Sequence, residues 1–223
     1  MDNSTLAPQP VPKVRVGFVM GMFIGALFTL PLLALLYLAD NLLGLPFLPF
    51  DVFSFVRDIL PGQLLTFGID SMVAVIRIFG MDTDTTAKIA EQGMALGMVI
   101  IISGIVGGLA YLTMNRVKRD FAIIGLFEGF ALGGLMMFIV VAKNITATAN
   151  PMLSLFWIVG LYTLWGLALA WAYQQLLDIR TREIAPETAQ NSDQLDRRKF
   201  LIQIGGATAT ITVVGAGLGA LLQ

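Results

Sequence analysis

The chain has 223 residues, 57% of them hydrophobic and only 13% charged, with a formal net charge of -1 and a mean hydropathy of +0.80. Soluble domains carry about 25% charged residues, so this composition belongs to an integral membrane protein, and without a long basic block nucleic acid is excluded as a partner. There is no His and no Cys, so the usual ligands of haem b, iron–sulfur clusters and most zinc sites are missing, and a Ser/His/Asp triad or a disulfide cannot form.

Apolar runs of about 20 residues cross a bilayer as helices. Five are read in chain order: 16–39, 93–114, 121–142, 152–177 and 200–222. The first contains Pro31, which kinks a membrane helix without ending it, because neighbouring helices re-satisfy the freed backbone. With the N-terminus inside, the inner segments hold ten Lys and Arg (Lys13, Arg15, Arg116, Lys118, Arg119, Arg180, Arg182, Arg197, Arg198, Lys199). The outer ones hold four (Arg57, Arg77, Lys88, Lys143). The positive-inside rule therefore puts the N-terminus inside and, with five spans, the C-terminus outside.

The loop between the first two spans carries Phe47, Phe50, Phe53 and Phe55 among Pro46, Pro49 and Pro61. Val52, Phe55, Val56 and Ile59 recur at helical spacing opposite Arg57 and Asp58, which predicts an amphipathic helix in the outer interface. Residues 63–80 are apolar but interrupted by Asp70 and Arg77, a poor span, and are read as a second interfacial or re-entrant helix. Asp82 to Thr85 supplies N-cap chemistry for the helix entering the second span. The expected fold is all-α: a polytopic bundle of about five transmembrane helices with one or two interfacial helices at about 50–80. Its divisions are an inner tail (1–15), a four-span domain (16–177), a polar linker (178–199) and a last helix (200–223).

Small residues recur four apart in the spans: Gly17, Gly21 and Gly25; Gly93 and Gly97; Gly104 and Gly108; Gly125, Gly129 and Gly133; Gly215 and Gly219. Such spacing lets helix backbones approach closely, either within the bundle or against another subunit. Trp157, Tyr162, Trp165, Trp171 and Tyr173 decorate the fourth span; those near its ends fit an aromatic belt, and Trp165 near its middle fits the bundle core. Glu128 is the one acidic residue inside a span, about 10 Å deep at 1.5 Å per residue. Intramembrane carboxylates are functional candidates, here for a proton or quinone role, although Arg116, Lys118 and Arg119 near the same end offer plain ion pairing.

The stretch D-R-R-K-F-L-I-Q-I-G-G-A-T-A, from Asp196, is similar to a twin-arginine export signal followed by a Gly/Ala-rich apolar helix. Arg197, Arg198, Phe200 and Leu201 match the signal. Asp196 replaces its Ser/Thr, and Gln203 stands near where a Lys is common. The plainer reading is three cations anchoring the inner end of a helix.

Together with L-P-F-L-P-F-D-V-F, I-L-P-G, T-F-G-I-D-S-M-V-A-V-I-R and the four-span block, this stretch gives the chain a resemblance to a known family. It resembles the membrane domain of bacterial molybdopterin-dependent oxidoreductases of the sulfite-oxidase type. In that family an exported cofactor domain follows the twin-arginine-like helix. The resemblance implies a location in the bacterial cytoplasmic membrane and a non-catalytic anchor for an exported oxidoreductase domain or subunit, with quinone as its electron partner. It also implies that molybdopterin belongs to a domain or partner beyond Gln223 and that no cofactor sits in this chain, which would be a truncated product or a separate membrane subunit. No catalytic, cofactor-binding or metal-binding residue is assigned here. The competing expectations are a structural accessory subunit of a respiratory or photosynthetic complex and a small transporter or channel. The latter lacks an evident inverted repeat with broken helices.

Overall fold

The structure is a computed structural model that describes residues 16–63, 66–68, 70–71, 74, 83–117, 120–143, 150–183 and 193–221. Among the described residues there are helices and no strands: α1 (Phe18–Leu43), α2 (Leu48–Ile59), α3 (Thr83–Arg116), α4 (Phe121–Ala142), α5 (Pro151–Glu183) and α6 (Asp193–Leu221). Five stretches are long and apolar enough to cross a membrane: Phe18–Leu43, Glu91–Arg116, Phe121–Ala142, Pro151–Ile179 and Arg198–Leu221. The shortest has 22 residues, about 33 Å at 1.5 Å per residue, against a hydrocarbon core of about 30 Å. The protein is an all-α, multi-pass membrane bundle.

The helices start and stop for local reasons. α1 runs on through Pro31, whose missing N–H costs one intrahelical bond. Gly44 ends it at φ 63°, a left-handed conformation that favours glycine. The Gly44 N–H donates to the Asp40 carbonyl at 2.9 Å, satisfying one of the orphan acceptors of the last turn. Asp120 precedes α4, also left-handed at φ 61°; Asp tolerates this conformation, and its charge complements the positive helix start.

Direction follows from which glycines meet what. Gly25 lies against Ser103 and Gly104, and Gly21 against Gly107 and Tyr111, so α1 and α3 are antiparallel. Gly125 meets Gly166 and Ala170, Gly129 meets Tyr162, and Gly133 meets Val159, so α4 and α5 are antiparallel. Thr113 of α3 bonds Glu128 of α4, which places their facing ends together. Gly215 sits on Ala34 and Gly219 on Tyr37, so α6 runs parallel to α1. The spans alternate in direction. One face carries the start of α1, the α3–α4 turn, the end of α5 and the entry to α6. The other carries α2, the end of α4 and the end of α6.

The core is two close pairs, α1 with α3 and α4 with α5, joined where α5 also touches α1. Ile24, Leu36, Tyr111, Met136, Ile158, Tyr162 and Leu169 fill it, all nearly fully buried. Tyr162 and Tyr173 are therefore core rather than belt; Trp171, 49% exposed, is on the lipid side. α6 rests on α1 through one narrow face, with Ile204, Thr208, Gly215 and Gly219 buried and most of its other residues exposed.

Several boundaries differ from the sequence reading. α3 begins ten residues before Gly93, α5 continues to Glu183, and α6 begins at Asp193. The segment read as a polar linker is thus helical at both ends, because a helix does not stop where hydrophobicity does. α2 packs down on α3 and α4. Its buried face is Leu48, Asp51 and Val52, whereas Ile59 is exposed. Most of 63–80, and with it the reading of a second interfacial or re-entrant helix, lies outside the described residues, as do the N-terminal tail and Asp82; Thr83, Asp84 and Thr85 of the N-cap stretch are the first residues of α3.

Candidate functional site

The seams depend on missing side chains. A Cβ added at Gly25 would stand 2.9 Å from the Ser103 carbonyl oxygen, and one at Gly107 would stand 2.9 Å from the Gly25 Cα. Gly125 and Gly166 face each other's backbone even more closely, and Gly129 and Gly133 continue that line. Gly104 faces the Met22 carbonyl, and Gly108 receives Phe18 and Met22. Gly17 differs: it precedes α1, and a Cβ there would meet nothing within 4 Å. Gly93 and Gly97 also face open space. Gly107 and Gly166 were missed as packing residues because their partners in the four-residue spacing are Ser103 and Ala170, small residues other than glycine.

At the face where α6 enters, one amide ties three segments. The Asn115 Nδ2 donates to the Val16 carbonyl at 2.7 Å, and the Val16 N–H donates to the Asn115 Oδ1 at 3.2 Å. The Tyr173 hydroxyl donates to the same Oδ1 at 3.0 Å. Around it, Tyr173 packs edge-on to Tyr111, with ring centroids 5.1 Å apart, and against Phe121 at 4.9 Å. Deeper in, the Trp165 indole N–H donates to the Gly25 carbonyl at 3.3 Å, fastening α5 to α1.

The α6 entry brings the export-signal residues to the bundle. Arg198 is exposed, Phe200 is buried and Leu201 half-buried. Arg197 lies in α6, with its side chain outside the described residues. Phe200 reaches Trp171 of α5, with ring centroids 6.2 Å apart. Beyond this contact α5 and α6 diverge and leave a cleft of about 480 Å³ floored by α1. Phe28, Pro31, Leu35, Trp165 and Ile211 line it, and Gln203 and Thr208 supply its polar atoms. Thr208 turns its hydroxyl to the Ile204 carbonyl at 2.6 Å, which leaves the Gln203 amide as the other polar side chain along the cleft.

Glu128 sits between α3 and α4. Its Oε1 accepts from the Thr113 hydroxyl at 2.9 Å, while Oε2 is buried without a protein partner. On the opposite face, Lys143 at the end of α4 pairs with Asp58 of α2. That hydrogen bond holds the Asp58 carboxyl below the ordinary range. Asp51, 7% exposed, is pushed up to about 6 by burial, against the pull of the Lys143 cation.

Among the described residues no three His, Cys, Asp or Glu side chains converge as metal ligands do. The arrangement offers a joint, a lipid-facing cleft and one intramembrane carboxylate. Compared with known proteins, the chain matches no family model, no curated protein and no solved structure.

Proposed function

We propose that the protein is a membrane anchor that holds an oxidoreductase domain or subunit on the outer face of a bacterial cytoplasmic membrane. α6 acts as an internal signal-anchor for that cargo. The observation that carries this reading is the construction of α6. It is a helix added to one side of a four-span block, it carries Arg197, Arg198, Phe200 and Leu201 in its second and third turns, and it runs to the face opposite its entry. A cofactor-bearing domain folds where its cofactor is made and must cross the membrane folded, which the twin-arginine route allows. The four preceding spans insert conventionally, and α6, uncleaved, stays as the anchor. The cofactor chemistry, including any molybdopterin, resides in the cargo. Glu128 and quinone stand as its link to electron or proton transfer within the bilayer.

The test is a folded reporter fused after Gln223. Export of the reporter that needs both the twin-arginine translocase and Arg197 with Arg198, each intolerant of Lys, supports the proposal. Export that persists in the double Lys variant and in a translocase-deficient strain overturns it.

A further inference from the structure

The cleft between α1, α5 and α6 lies within the spans, so its open side faces lipid and not water. Its α6 wall runs from Phe200 to Ile211 and its α5 wall from Leu161 to Trp171. At 1.5 Å per residue these walls are about 15–17 Å long, the depth of one leaflet's hydrocarbon in a core of about 30 Å. The volume of about 480 Å³ falls within the range of ligand sites, roughly 300–1,000 Å³. An apolar hollow of this size left empty would forfeit the dispersion contacts of its whole lining.

The chemistry along α6 is graded. Lys199, exposed, stands at the mouth, one turn before Gln203 on the same edge of α6, whereas Arg198 lies about 200° around the helix from Phe200 and faces away from the cleft. Gln203 follows about 6 Å deeper, at four residues from Lys199, and lines the cleft. Beyond it come Ile204, Ala207 and Ile211, all apolar. Trp171, 49% exposed, borders the same mouth, with a ring that suits the boundary between headgroup and chain. A cation, then an amide donor, then an apolar slot one leaflet deep matches phosphate, ester carbonyl and acyl chain in order.

We infer that this cleft is a binding site for an anionic phospholipid, with one acyl chain in the cleft, its ester carbonyl accepting from Gln203 and its phosphate paired with Lys199. The site seals α6 to the four-span block where protein contacts between α5 and α6 are sparse. It does not depend on export: the lipid would bind whether or not α6 carries cargo, and the assay below reads lipid binding and not translocation.

The test uses the full chain in vesicles, with Trp157→Phe and Trp171→Phe leaving Trp165, on the cleft wall, as the one fluorophore. Brominated phosphatidylglycerol and brominated phosphatidylcholine are compared as quenchers at equal low mole fraction. With one basic contact, the anionic lipid should occupy the site at roughly 5-fold lower mole fraction than the zwitterionic one. Lys199→Gln should erase that preference, Arg198→Gln should leave it, and Ala207→Phe, which fills the slot, should weaken quenching by both lipids. The unsubstituted protein, taken from an equimolar mixture of the two lipids into native mass spectrometry, should retain one phosphatidylglycerol. Equal quenching by the two lipids, no quenching of Trp165 by either, or no lipid preference in the unsubstituted protein would each overturn the assignment.

Discussion

Asn115 and Val16, 99 positions apart in the chain, exchange two hydrogen bonds: the Asn115 amide donates to the Val16 carbonyl at 2.7 Å and accepts from its N–H at 3.2 Å. The side chain thus completes the backbone of α1's entry, and Tyr173 braces it from α5. Asn115→Leu keeps the approximate volume but leaves both Val16 groups without partners. We expect a loss of about 1–3 kcal/mol, read as a lowered midpoint of thermal unfolding in detergent. Asn115→Asp keeps the acceptor and loses the donor, so it should fall between Leu and the unsubstituted chain.

The glycine seams give a sign test. In an isolated helix Gly→Ala is favourable by about 1 kcal/mol. Gly134 and Gly160 face open space, so Ala there should leave stability unchanged or slightly raised. Gly166 faces the backbone of Gly125 and Gly129, and Ala there should destabilise by about 1–3 kcal/mol through overpacking. Unfolding midpoints of the three single variants decide it. A loss of the same size at Gly134 would show that close backbone contact does not set the cost.

The seat of α6 can be checked by cross-linking. A Cβ at Gly215 would lie 3.2 Å from the Ala34 Cβ, a few tenths of an ångström short of the separation of about 3.5–4.5 Å that a disulfide spans. The chain has no native cysteine. Ala34→Cys with Gly215→Cys should therefore form a disulfide under mild oxidation, visible as a mobility shift that reductant reverses. Gly217 faces open space, so Ala34→Cys with Gly217→Cys should not.

Asp51 predicts a pH dependence. Burial raises its carboxyl from 3.8 to about 6 in the folded protein, so between those values the native state holds more protons than the unfolded one. Stability from this group is then fully present below pH about 4 and falls as pH rises through about 6. With part of the shift screened at the membrane surface, the loss is on the order of 1–2 kcal/mol. Asp51→Asn should flatten that slope of unfolding midpoint against pH. Lys143 lowers the Asp51 value, so Lys143→Gln should move the fall to higher pH and make it larger.

How far the sequence carries can be seen at particular residues. The five spans and the two-sidedness of 48–59 follow from hydropathy and helical period, which are local properties. Gly21, Gly25, Gly125, Gly129 and Gly133 were legible because glycine at four-residue spacing has few other uses in a membrane helix. Gly166 and Gly107 were not, since Ala and Ser stand in for their second glycine. Asn115 sits beside Arg116 like any polar helix end, and only the fold brings Val16 to it. Period alone put Ile59 on the apolar face of α2 with Val52, but only the fold shows that Val52 is buried against the bundle while Ile59 at the helix end is exposed. The cleft was invisible because it arises from the divergence of α5 and α6, a relation between helices and not a pattern within one.

Whether α6 runs outward rests on the orientation of the whole bundle, and that is open to one direct measurement. Arg57 of α2 and Val117 at the end of α3 are both exposed and lie on opposite faces of the alternating bundle. Each is changed singly to Cys in the otherwise cysteine-free chain and treated in intact cells with a membrane-impermeant thiol reagent. Labelling at position 57 in intact cells, and at 117 only after permeabilisation, is the result expected if α6 carries its end to the outer face. Labelling at 117 in intact cells, with 57 protected until permeabilisation, would contradict it.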